Sequence, residues 1–124
     1  MPVIPAPPGA THELPGTRFT SLATPSRGTV ETSVWQVELD PGTESASHSL
    51  TREEVFVVLE GTAVVELDGE RSTASAGDAI AVPAGPSFAL ANGGDGPLRM
   101  LCCLPVGGEA QIGAQDPFTP PWAQ

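Results

Sequence analysis

GTESASHSLTREEVFVVLEG, residues 42–61, is the stretch whose reading decides the fold. Its first half holds one histidine, His48, among small polar residues. Its second half places Glu53 and Glu54 before the run Val55-Phe56-Val57-Val58-Leu59, which closes on Glu60 and Gly61. A β-branched and aromatic run of this length reads as a buried strand, and the glycine after it reads as a tight turn. Ionisable groups at the mouth of an apolar strand are costly to bury without a partner. His48 and Glu54 are therefore the first candidates for chemistry.

Further on, residues 77–92 read GDAIAVPAGPSFALAN. Ala79-Ile80-Ala81-Val82 is a short apolar strand stopped by Pro83-Ala84-Gly85-Pro86, and a second short strand follows. The two stretches resemble, in order and 15 residues apart, the two motifs of the cupin superfamily. The first motif is a Gly, five residues, a His, one residue, a second His, three or four residues, a Glu, six residues and a Gly. Gly42, His48, Glu54 and Gly61 meet it, and Leu50 stands at the second histidine. Gly77, Pro83, Gly85 and Asn92 meet the second motif, and Phe88 stands at its histidine. With its flanking strands the resemblance covers residues 30–106.

The resemblance implies an all-β fold, a small jelly-roll β-barrel with N- and C-terminal extensions. It divides the chain into a Pro-rich arm at 1–11, a barrel domain at 12–106 and a tail at 107–124. Metal-binding cupins use three His and one Glu inside the barrel. Here only His48 and Glu54 keep ligating side chains, because Leu50 and Phe88 carry hydrocarbon. A divalent metal (Zn, Fe, Mn or Ni) would sit at an irregular site and take a third ligand from His12, Glu53, Cys102 or Cys103. Without metal, His48 and Glu54 remain a general acid–base pair, or a structural pair with no chemistry. Isomerase, cyclase and dioxygenase chemistry all occur on this fold, and the sequence leaves catalysis open.

Binding without catalysis is the reading placed first. Trp35, Leu50, Phe56 and Phe88 would give the barrel an apolar lining, suited to a small apolar or aromatic molecule. Both faces of residues 55–59 are apolar, which asks for a second core or a partner copy, so a homodimer is expected.

Charge and composition narrow the partners. The 124 residues carry a formal charge of −10, with five basic residues, all Arg. Such a chain does not suit nucleic-acid phosphates or an anionic membrane surface. No apolar stretch reaches 18 residues and no signal-like segment opens the chain, so a cytoplasmic protein is expected. Cys102 and Cys103 are adjacent on a strand and point to opposite faces, so they read as two free thiols. Gly and Pro number 14 each, which disfavours helices throughout.

The remaining chain supplies short strands and turns. Thr17–Ala23 is a plausible first strand after His12. His12 itself is open between a solvated loop residue and a group folded against the barrel mouth. Residues 29–39 alternate, with Ser33, Trp35, Val37 and Leu39 on one face. Asp68-Gly69 marks a hairpin between two strands. Residues 98–106 form the last long strand. The tail reads as loop, with Phe118 and Trp122 packing back on the body or on a partner.

Overall fold

The alternation of residues 32–39 is realised as a strand that buries Ser33, Trp35, Val37 and Leu39 and turns the residues between them outward. The computed structural model describes residues 2–124; Met1, the first residue of the expected arm, lies outside the described residues. In chain order the strands are β1 (His12–Leu14), β2 (Thr17–Ala23), β3 (Thr32–Leu39), β4 (Ser49–Leu50), β5 (Glu54–Glu60) and β6 (Thr62–Leu67). They continue with β7 (Glu70–Ser75), β8 (Ala79–Val82), β9 (Phe88–Asn92), β10 (Leu98–Pro105) and β11 (Ala110–Gln111). Single 3₁₀ turns occupy Pro25–Arg27 and Pro121–Ala123.

One sheet has the order β1-β2-β3-β10-β5-β8. A second has the order β7-β6-β9, and β11 pairs with β4 in a third. Every strand pairing is antiparallel. The ladders do not join into a continuous cylinder. The expected barrel is a jelly roll of separate sheets, and their buried faces share one core. Val58, Val82, Phe88, Leu98, Met100, Cys102 and Leu104 are almost wholly buried in it.

Two turns follow directly from local chemistry. Asp68 and Gly69 both have positive φ, 52° and 84°, as a two-residue hairpin with the right-handed twist of β6 and β7 requires. Gly61, φ 88°, lies against the Pro97 carbonyl oxygen, leaving no room for a Cβ. That close approach lets β6 leave β5 at once. Asn92 closes the next corner: its Nδ2 donates to the carbonyls of Leu39 (2.9 Å) and Gly96 (2.8 Å) and its Oδ1 accepts from Gly94 N–H.

The structure departs from the sequence reading at three places. The strand expected from Thr29 begins at Thr32, because Thr29 N–H bonds back to Thr24 and Val30 is 82 % exposed. His12 lies in β1, paired with Phe19 of β2, where a lead-in segment was expected. The tail is not a loop throughout. β11 pairs with β4, Ala110 exchanges hydrogen bonds with Phe118, and Phe118 and Trp122 pack on the core.

Outward residues of β5 behave differently from one another. Glu54, Phe56 and Val58 are buried, Val55 and Val57 are half-buried, and Leu59 is 39 % exposed. Val57 registers with Leu101 of β10 and Ala79 of β8, and Val55 with Cys103 and Ala81. The outer face of this sheet thus carries a continuous apolar strip.

Candidate functional site

Alternation along β3, β5 and β10 sends Trp35, Phe56 and Met100 to the same side of the large sheet. They face a cavity of about 370 Å³. Leu50 from β4 and Cys102 from β10 add to its wall, and Leu14 and Pro15 of the β1–β2 hairpin also reach it. The tail completes the enclosure with Ile112, Phe118 and Trp122. The lining is overwhelmingly hydrocarbon, as small-molecule pockets are.

The tail is held in place by hydrogen bonds from two buried serines. Ser21 Oγ donates to the Trp122 carbonyl at 2.8 Å, and Ser33 Oγ to the Ala123 carbonyl at 2.7 Å. The Trp122 indole stacks on Phe19, with ring centroids 3.6 Å apart and planes 6° apart.

Two carboxyls line the cavity, Glu44, which is exposed, and Glu54, which is buried. Glu54 is 5 % exposed, and no group among the described residues hydrogen-bonds to its carboxyl. Burial pushes its pKa from the ordinary 4.5 up to about 8. Ionising a carboxyl inside hydrocarbon forfeits hydration that nothing here replaces, so the acid stays protonated at neutral pH. Burial, reinforced by the Glu54 charge, also pushes the Cys102 thiol well up, which makes it a poor nucleophile.

His48 lines the same cavity nearer solvent and is half-buried. Its Nδ1 lies 2.8 Å from the Ala46 carbonyl, which can only accept, so Nδ1 carries the hydrogen. In the neutral ring Nε2 then holds the lone pair. The imidazole leans on the Phe88 ring, centroids 4.3 Å apart.

The sequence candidates do not all meet at one place. His48, Glu54, Trp35, Leu50 and Phe56 line the cavity together. Phe88 does not line it; its ring lies 4.3 Å from that of His48 and 6.1 Å from that of Phe56, and it borders a second groove with Ser47, Glu66, Asp68 and Ser87. His12 is outside the cavity, with Nδ1 2.9 Å from Thr11 Oγ1 and its edge towards Trp122. Glu53 is exposed, and Cys103 points to the opposite face of β10 from Cys102. Phe19, Met100, Ile112 and Phe118 are wall residues that the sequence reading did not single out for the pocket.

A metal centre would need three protein ligands from these positions. Among the described residues no three His, Cys, Asp or Glu side chains come together as a ligand set. At Leu50 and Phe88 the donors are replaced by hydrocarbon, leaving His48 and Glu54. Two donors do not fit a site that needs three protein ligands.

No helix among the described residues is long and apolar enough to cross a membrane. Comparison with known proteins places the fold. A cupin-like protein from Thermotoga maritima superposes with a TM-score of 0.72 at 21 % identity, covering 78 % of this chain and 75 % of that one. The polyketide cyclase RemF from Streptomyces resistomycificus gives a TM-score of 0.67 at 25 % identity, covering 83 % of this chain and 71 % of that one. Salicylate 1,2-dioxygenase from Pseudoaminobacter salicylatoxidans gives 0.70 at 21 % identity, covering 87 % of this chain and 31 % of that one. An uncharacterised protein of Methanocaldococcus jannaschii is 32 % identical over 75 residues, and the match spans 60 % of each chain. The family model described as "Cupin domain" matches residues 35–104, from the buried Trp35 of β3 to Leu104 of β10, and the chain belongs to that family.

Proposed function

We propose that this protein binds a small apolar or aromatic molecule in the cavity between its sheets. One observation carries the reading: a hydrocarbon-lined space of about 370 Å³ contains a buried acid, Glu54, with no protein partner. A buried polar group is normally hydrogen-bonded, so an unpartnered one facing a cavity suits a ligand that supplies the missing partner. Titration with the neutral fluorophore N-phenyl-1-naphthylamine tests it. The expected result is one saturable site per chain, abolished when Leu50→Trp fills the space in a still-folded protein. Unsaturable binding, or equal binding by the filled variant, defeats the proposal.

Catalysis by His48 and Glu54 is the second reading. The observation favouring it is the pairing of a protonated buried acid with an imidazole whose Nδ1–H is committed to Ala46. An acid and a lone-pair acceptor on one cavity are the parts of general acid–base catalysis. Cyclase and dioxygenase neighbours support it by analogy of fold alone. His48→Ala separates the readings: turnover would collapse while apolar binding largely survives.

We also propose that the protein is a cytoplasmic homodimer. Cys102 and Cys103 are free thiols, which suits a reducing compartment. A second copy suits the strip formed by Val55, Val57 and Leu101 because two chains of charge −10 repel elsewhere and meet there without facing like charges. Light scattering at several concentrations checks it, with Val57→Glu expected to give monomer.

A further inference from the structure

The cavity carries information about the charge of what enters it. None of the five Arg side chains lines it. Arg18 is engaged with Glu38 and Asp40, both at 2.7 Å, Arg99 with Glu60, and Arg71 with Glu66. Arg27 is bound to the carbonyls of Leu22 and Pro5. A carboxylate or phosphate carried into the buried part of the cavity would lose its hydration and find no arginine there, and the lining imidazole of His48 sits nearer solvent. Burying an unpaired anion in this way is prohibitive.

A cation meets a different obstacle. Ammonium has three N–H donors. Of the two carboxyls that line the cavity, Glu44 is exposed and Glu54 is buried, so an ammonium carried into the buried part meets Glu54 in a mostly hydrocarbon wall. At least one donor would stay unpaired in hydrocarbon, and the carboxyl would have to bear a buried charge. A neutral carbonyl oxygen asks for less: one donor satisfies it, and an uncharged carboxylic acid supplies one O–H.

We infer that the occupant is an uncharged aromatic or apolar molecule bearing a carbonyl oxygen, which points inward and accepts the hydrogen bond of the Glu54 carboxyl. This rests on the reading of the cavity as a small-molecule site, and names the class of molecule that site takes. Glu54 is then a selectivity group. It distinguishes a ketone from a hydrocarbon of the same shape, and the surrounding hydrocarbon rejects charged relatives of both.

Four probes sharing one ring system test this at pH 7: 2-acetylnaphthalene, its hydrocarbon isostere 2-isopropenylnaphthalene, 2-naphthoate and 2-(aminomethyl)naphthalene. Each is titrated into wild-type protein, Glu54→Gln and Glu54→Leu, followed by tryptophan fluorescence, with circular dichroism confirming the fold. In the wild type the ketone is expected to bind about tenfold more tightly than the isopropenyl compound, and the two ions more weakly than either. Glu54→Gln keeps an amide donor and should keep the ketone preference. Glu54→Leu should abolish it and bind the hydrocarbon at least as well as the wild type. If naphthoate or the amine binds more tightly than the ketone, the inference is overturned. If ketone and hydrocarbon bind equally in the wild type, or their ratio is unchanged in Glu54→Leu, the inference falls while the cavity remains a binding site. If none of the four saturates a site, the binding reading falls and takes the inference with it.

Discussion

His48 and Phe88 are joined at both backbone and side chain: His48 N–H donates to Phe88 O at 2.9 Å, Phe88 N–H returns to His48 O at 2.8 Å, and their rings lie 4.3 Å apart. The aromatic ring thus occupies the flank of the imidazole where the family's motif would put another histidine. Together with Leu50 it converts a polar centre into a mostly apolar one.

This geometry predicts that ligands for a metal can be restored. The double substitution Leu50→His with Phe88→His puts imidazoles back at both motif positions beside His48 and Glu54. Elemental mass spectrometry should find close to one divalent metal per chain in the double variant and far less in the wild type. Equal contents in the two proteins would show that Leu50 and Phe88 are not what limits metal binding.

Glu54 makes stability depend on pH in a definite direction. Its carboxyl titrates at the ordinary 4.5 when the chain is unfolded and at about 8 when folded. Between these values the unfolded chain has released a proton that the folded chain retains. Stability therefore falls as pH rises from 4.5 through about 8, by at most ~1.4 kcal/mol per pH unit, and then levels off. Asp40 acts in a separate window. Arg18 holds its carboxyl below the usual 3.8, so its contribution is lost only as pH falls below that value. Urea unfolding from pH 5 to pH 9 should give a flatter profile for Glu54→Gln than for wild type, with the variant the more stable at pH 9. Parallel profiles would mean that the buried acid is not the source.

Ser33 is a small residue with a large expected effect. Its hydroxyl satisfies the Ala123 carbonyl in a buried setting, at 2.7 Å. Ser33→Ala leaves that carbonyl without a donor and should cost about 1–3 kcal/mol. Chemical denaturation measures the loss. A change below half a kcal/mol would mean that water takes over the carbonyl and the tail is not anchored there.

Gly61→Ala should be worse than its size suggests. The residue holds φ 88°, and an added Cβ would meet the Pro97 carbonyl oxygen and approach Leu98 Cα at 3.0 Å. Strain at a left-handed position plus a backbone clash amounts to roughly 2 kcal/mol or more. Thermal melting of this variant beside Gly69→Ala, where nothing lies within 4 Å of the new Cβ, separates clash from strain.

Much of the architecture is legible in the chain because it is written in local rules. Alternation announced the buried face of β3, a β-branched run announced β5, and Asp68-Gly69 announced its hairpin. The side-chain pattern of β5 even placed Glu54 with Phe56 and Val58. What local rules do not carry is pairing between distant segments. β4 is two residues long and is a strand only because Ala110–Gln111 lies beside it. Ile112, Phe118 and Trp122 show no period that points to a cavity; Trp122 is held by serines on β2 and β3 that bond to its own and the next carbonyl, and Phe118 by its backbone pairing with Ala110. Phe88 illustrates a different gap. Its place in the motif was readable, but the side of the wall it faces depends on how β9 meets the loop carrying His48.

The tail's attachment also has a meaning in time. Ser21 reaches Trp122 across 101 residues, and Ser33 reaches Ala123 across 90. Bringing such distant points together costs loop entropy that few contacts repay early, so these bonds are expected to form after the rate-limiting barrier. Contacts made after the barrier govern how fast a chain opens and leave its rate of closing almost untouched. On that expectation the tail would slow the opening of the folded state, and, under the proposed binding function, the escape of a bound molecule with it.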